Sequence, residues 1–134
     1  MRSNIDTIKL LYQLFAARDN AGVRHLFAPA IVWTQMKGFP NGGTYVGADQ
    51  IFENVFSGFR EYWASFSTIV TDYLDADPSV IALGYYEGTY AQTGRSIQAA
   101  FAHHYLLQEG KIIQFTQYTD TYLIAQAMNR PIAS

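Results

Sequence analysis

One histidine, His103, alternates with aromatic residues in the run Phe101-Ala102-His103-His104-Tyr105 and is the side chain best suited to pass a proton near neutrality. An unperturbed imidazole titrates near ~6.5, and burial or a charged partner moves it from there. Gln35 and Gln117 carry carboxamides, which orient a carbonyl or hydroxyl oxygen without exchanging a proton. These types allow general acid or base work at His103, with Gln35, Gln117 and Tyr86 placed to hold an oxygen. Tyr12, Phe15, Trp33, Phe101, Tyr105 and Phe115 would supply the apolar wall that small-molecule pockets have. The same stripes also build an ordinary core, so wall and core stand as alternatives. His104 points to the opposite face of the strand, and Glu87 opposes Tyr86 in the same way. Asp120 is the carboxylate nearest these residues and, on the strand register preferred below, faces away from them. Arg95 follows a turn glycine and is expected in solvent.

Those side chains need elements to bring them together. Ile5, Ile8, Leu11, Tyr12 and Phe15 recur at helical spacing behind Ser3 or Asn4 as N-cap, which predicts a first helix to about Arg18. Asp19-Asn20 caps a short second helix, Ala21 to Phe27, ended by Pro29. A strand is expected over Ile31 to Met36, a glycine-rich loop over Lys37 to Gly47, and a third helix from Asp49 to just before Trp63. From Ser65 onward, β-branched and aromatic runs broken by turn signals predict four antiparallel strands. Thr121 to Met128 either finishes the last strand or forms a short helix, and Asn129-Arg130-Pro131 stops it ahead of a frayed tail.

Strand register decides which of these residues meet. A two-residue turn at Thr93-Gly94 would set Gly84 across from His103, Tyr86 across from Phe101 and Gly88 across from Ala99, leaving the sheet hollow at the glycines. In the last hairpin, a two-residue turn puts Thr116, Tyr118 and Asp120 on the face of His103. A bulged loop at Gly110 puts Phe115, Gln117 and Thr119 there instead. The bulged loop is preferred, since Ile113 and Phe115 are the apolar pair that a helix-covered face wants.

The chain has 134 residues, enough for one domain spanning 1–134. A formal charge of −2 lacks the basic excess of a nucleic-acid binder, and 16% aromatic residues is too much apolar surface for disorder. With no cysteine there is no thiolate nucleophile and no Cys-based zinc site, and three histidines leave little for a His-rich one. Asp72, Asp75 and Asp77, just before Pro78, read as a solvated turn. Gly42-Gly43 lacks the context of a phosphate loop. No metal or cofactor is expected. Lacking a signal-peptide block or an ~18-residue apolar run, the protein is expected to be soluble and cytoplasmic, with no membrane or nucleic-acid partner.

Helices first and strands after make the class α+β, with three N-terminal helices packed on one face of a strongly curved, mostly antiparallel sheet. This order, with Gly43-Thr44-Tyr45-Val46-Gly47, Thr93-Gly94-Arg95, Phe101-Ala102-His103 and Gln117-Tyr118-Thr119-Asp120-Thr121, resembles the nuclear-transport-factor-2-like superfamily. The resemblance is to its SnoaL-like, ketosteroid-isomerase-related branch and implies a cystatin-like cone. Residue by residue, it sets His103 where polyketide cyclases of this branch hold a histidine and the isomerases an oxyanion-stabilising acid. Gln35 falls at or near the isomerases' carboxylate base, and Gln117 where the cyclases carry an aspartate, so neither carboxylate is kept. The resemblance implies a homodimer that binds an apolar ring or polyketide-like molecule with a carbonyl or hydroxyl and, if it is an enzyme, a cofactor-free isomerase, cyclase or lyase step by proton transfer next to a carbonyl. The competing expectation is a non-catalytic binding or dimeric accessory module, whose outer face with Ala100, Ala102, His104 and Leu106 is covered by a second chain.

Overall fold

The structure is a computed structural model and describes residues 2–129. Helix α1 (Asn4–Ala16) is capped by Ser3, whose hydroxyl accepts from the Asp6 amide, and it buries Thr7, Ile8 and Leu11. Helix α2 (Asn20–Leu26) is capped by Asp19 onto the Gly22 amide and buries Val23 and Leu26. In both, a side-chain oxygen satisfies an amide that the first helical turn leaves unpaired. The third helical stretch runs as α3 (Ala48–Ile51), a π-helical segment (Phe52–Phe56) and α4 (Ser57–Tyr62). It stops before Trp63, as its periodicity predicts.

Six strands follow one another across the sheet in the order β2-β1-β6-β5-β4-β3. These are β1 (Phe27–Gln35), β2 (Gly43–Val46), β3 (Trp63–Ala76), β4 (Ser79–Tyr90), β5 (Ser96–Gln108) and β6 (Lys111–Thr119). Only β1 with β6 is parallel; every other neighbour is antiparallel. Bulges in the β1–β6, β3–β4 and β5–β6 pairs bend the sheet around the helices. A fifth helix, α5 (Thr121–Met128), follows β6, and Asp120 caps it by accepting from the Leu123 amide. Asp120 is exposed and turned away from the inner face. Arg130 and Pro131 of the expected stop, and the tail after them, lie outside the described residues.

Two local expectations are corrected. Strand β1 starts at Phe27, four residues early, and holds Pro29; its pairing with β6 is interrupted between Phe27 and Val32, so the proline costs no ladder bond. Gly43 to Val46, read as loop, forms the short edge strand β2. Arg95 reaches back to donate to the Gln126 carbonyl at 2.9 Å.

The β4–β5 hairpin is offset by two residues from the expected register. Gly84 lies opposite Phe101, Tyr86 opposite Ala99, and Ala82 opposite His103. The loop is four residues long, with Gly94 at φ 71° and the Tyr90 amide bonded to the Arg95 carbonyl. An even offset keeps every side chain on its face. The last hairpin has His103 opposite Gln117, Tyr105 opposite Phe115 and Phe101 opposite Thr119. Its turn is nevertheless the two-residue Glu109-Gly110 type, both at positive φ (52° and 77°), and the extra residue sits at a bulge beside Leu106 and Leu107. From Phe115 onward the face is the expected one, but the strand and not the loop supplies the shift, so Ile112 is buried where Ile113 was expected and Ile113 falls at the bulge.

Candidate functional site

Inside the curved sheet a chain of polar groups crosses an aromatic interior. Tyr105 Oη donates to Tyr12 Oη at 2.8 Å, and Tyr12 Oη lies 2.6 Å from His103 Nδ1. On the other side of the ring, His103 Nε2 meets Tyr86 Oη at 2.5 Å. Gln117 Nε2 donates to Tyr86 Oη at 2.9 Å, and the Met36 amide donates to Gln117 Oε1 at 3.0 Å. Two parallel neighbours, β1 and β6, set Gln35 beside Gln117; Gln35 Oε1 accepts from Trp33 Nε1 at 3.1 Å. Each glutamine therefore has its orientation fixed by an N–H donor.

The hydrogens available favour one direction along the chain. Tyr12 and Tyr86 each receive one bond from outside, and each keeps a hydroxyl hydrogen, while a neutral imidazole offers a single lone pair. Tyr86 is enclosed, so an unpaired hydroxyl there would be costly, and its hydrogen goes to Nε2. In that arrangement the ring donates Nδ1–H to Tyr12. Tyr12, half-buried as a residue, also lines a groove of about 400 Å³ between α1 and β3. Lys9, Gln13, Ala16, Thr68, Val70 and Tyr73 complete that groove.

Burial controls the charges. It pushes the His103 imidazole down to about 3, so the ring is neutral at physiological pH. Burial likewise lifts the Tyr86 phenol, against a smaller opposing pull from the Gln117 hydrogen bond. Tyr12 and Tyr105 are raised chiefly by burial too; the coulombic effect of Tyr105 adds to the rise at Tyr12, and the bond from Tyr105 to Tyr12 offsets part of the rise at Tyr105.

The structure brings the sequence-derived residues together on one face. His103, Gln35, Gln117, Tyr86, Trp33, Phe101, Tyr105 and Phe115 are all buried there, and Tyr12 and Phe15 of α1 cover them half-buried. The hollow expected at Gly84 and Gly88 is filled. A Cβ on Gly84 would stand 1.9 Å from the Ile69 carbonyl oxygen and 2.9 Å from the Phe101 ring, and one on Gly88 2.7 Å from the Ser65 carbonyl oxygen. Those glycines let β3 approach closely instead of opening a pocket. Further in, Trp33 stacks on Phe115 at 3.8 Å and Phe101 on His103 at 3.9 Å. His104 is on the outer face, bonded to Ser79 Oγ at 2.8 Å, and Glu87 is exposed. Asp77 accepts from Asn4 and Asp75 caps the Asp77 amide, and no cluster of metal-ligating side chains occurs among the described residues.

Sequence reasoning missed three features. Lys9 and Tyr73 line the groove, with the Lys9 ammonium 5.4 Å from the Tyr73 ring, and the helical position of Lys9 beside Tyr12 was the available signal. Phe39, in the glycine-rich loop, is buried against Trp63, Phe66, Phe59 and Tyr86; an isolated aromatic residue between Gly38 and Pro40 was its signal. Trp63 and Gln35 each hold a buried N–H, Nε1 and Nε2, with no acceptor among the described residues.

The model of the SnoaL-like domain matches residues 8–115, and the chain belongs to that family, within the nuclear-transport-factor-2-like superfamily. A solved nuclear-transport-factor-2-like protein of Burkholderia thailandensis is 41% identical, with a TM-score of 0.92 over 96% of this chain and 99% of that one. A putative SnoaL-like polyketide cyclase of Jannaschia sp. is 17% identical, with a TM-score of 0.81 over 98% of each chain. TerC, co-crystallised with polyporic acid, is 22% identical, with a TM-score of 0.84 over 93% of this chain and 97% of that one. At those lower identities the likeness shows the shared cystatin-like α+β fold. No curated protein matches the sequence. No helix among the described residues is long and apolar enough to cross a membrane.

Proposed function

We propose that this protein binds a small, largely apolar, ring-containing molecule through a carbonyl or hydroxyl oxygen, at the groove between α1 and β3. One observation carries the reading: the buried chain from Gln117 through Tyr86 and His103 ends at Tyr12, a residue that also lines the groove, and on this reading its O–H is the donor offered to a ligand. Tyr73 and Val70 offer apolar surface beside it, and Lys9 favours an oxygen of partial or full negative charge. The polyporic acid in TerC supports a small-molecule role for this fold.

Binding is favoured over general acid–base catalysis. Both nitrogens of His103 are engaged by tyrosine hydroxyls, which leaves neither free to meet a ligand atom, and a base of pKa about 3 is weak at neutral pH. His103 on this reading is a positioning residue that holds the Tyr12 hydroxyl in line.

The test compares 1-tetralone, a bicyclic ketone, with tetralin, its oxygen-free counterpart, by titration calorimetry. The ketone should bind, and Tyr12→Phe should weaken it about tenfold, roughly one hydrogen bond, with little effect on tetralin. Equal binding of ketone and hydrocarbon would contradict the proposal. In D₂O, exchange of the ketone's α-protons should stay at the buffer rate; a protein-catalysed rate that His103→Ala removes would establish the enzyme reading instead.

A further inference from the structure

Lys9 is a cation that the buried relay does not use. It lies one helical turn before Tyr12 on α1, so the two side chains share a face, and both line the groove against β3. The Lys9 ammonium stands 5.4 Å from the centre of the Tyr73 ring, which brings its charge to the β3 side of the opening. Such a contact at an exposed position is weak and leaves the charge available. No carboxylate lines the groove, and the one salt bridge among the described residues joins Arg24 to Asp49. Asp72, beside Tyr73 on β3, is exposed, and its carboxylate accepts from the Tyr73 amide. Asp6, a turn earlier on α1, is exposed and also outside the groove.

A molecule seated in the groove displaces water from this ammonium, and a neutral molecule returns no charge for that loss. An anion does. A carboxylate also has two oxygens, and the groove holds two separate groups for them. On the relay direction favoured above, the Tyr12 O–H serves one oxygen and the Lys9 ammonium the other. A simple ketone has one oxygen and leaves one of the two groups unmatched.

We propose that the groove selects the conjugate base of an aromatic acid, an aryl carboxylate, with Lys9 as the residue that discriminates by charge. This rests on the groove being the binding site and narrows its ligand from any ring with a carbonyl or hydroxyl to the anionic kind. Binding is reversible, and no covalent bond is made or broken.

The experiment compares 1-naphthoate with 1-naphthamide, its uncharged near-isostere, by titration calorimetry at neutral pH. At low salt the wild type should bind the carboxylate roughly fivefold tighter than the amide, and high salt should remove most of that advantage. Lys9→Met should abolish the preference, Lys9→Glu should invert it, and Lys9→Arg should keep it. Equal binding of the two probes by the wild type, or a preference that survives in Lys9→Met, would overturn the proposal. The salt series needs no variant, so it decides the matter even if a substituted chain fails to fold; a carboxylate advantage that salt leaves unchanged would also overturn it. Tyr12→Phe separates this outcome from failure of the groove itself. If that change weakens the amide while Lys9→Met leaves the two probes ranked as before, the charge selection alone is lost. If Tyr12→Phe moves neither probe, or neither binds, the groove is contradicted and the charge selection falls with it.

Discussion

His103 is the side chain on which sequence and structure diverge in meaning. Its type suggested a proton shuttle, and its place on the inner face was legible from strand alternation. Its two tyrosine partners were not, because Tyr12 comes from a helix 91 positions away and no local pattern encodes that contact. Burial makes the ring a pH-dependent element of stability. The folded state holds its pKa at about 3 against an ordinary ~6.5, so the unfolded chain binds more protons between those values. The stabilisation is therefore fully present above pH ~6.5 and is lost as pH falls toward 3. Urea unfolding at pH 7 and pH 4 should show the wild type losing on the order of 3 kcal/mol more than His103→Leu. Gln117 gives a second expectation at this scale. Gln117→Leu strands the Met36 amide and removes the donor to Tyr86, and should cost about 1–3 kcal/mol in the same assay, with the larger value if no water replaces the carboxamide.

At the scale of elements, helices α1 and α2 and the four-strand meander follow from periodicity and capping, since these are local properties of the chain. The even offset of the β4–β5 hairpin shows what locality leaves out. Alternation fixed the faces, but which residues sit opposite depends on a four-residue loop and on β3 pressing against the glycines of β4. Gly84 thus reads in sequence as missing volume and in structure as a contact with backbone. Gly84→Ala should be severely destabilising, by about 3 kcal/mol or more, since its methyl group would overlap the Ile69 carbonyl and neither strand can yield cheaply. Thermal unfolding of that variant checks it, and a near-native melting temperature would contradict so close an approach of β3 to β4. The bulge beside Leu107 was likewise invisible, because the Gly110 signal fits a tight turn and a bulged loop equally well.

For the molecule as a whole, one face of the sheet is closed by helices and the other is open. Leu83, Tyr85, Ala102 and Leu106 are partly exposed on that outer face, and Ala100 and Tyr118 are exposed. We propose that a second copy of the chain covers it, since an apolar sheet face left open to solvent marks an interaction surface. Light scattering should give twice the chain mass, and Tyr118→Glu with Ala102→Lys should give the single mass with the fold intact; a monomeric wild type would contradict the proposal. On the opposite face, the proposed role of the buried relay is to present the Tyr12 hydroxyl to a ligand. A carbonyl accepting from Tyr12 makes that oxygen a stronger acceptor for His103 Nδ1–H through cooperativity along the chain. The most direct measurement is nitrogen-15 NMR of the histidine rings during titration with 1-tetralone. The expected result is a saturable downfield shift of the His103 Nδ1–H proton while His25 and His104 stay in place. A His103 signal that never moves, or movement confined to His104 on the outer face, would contradict the account.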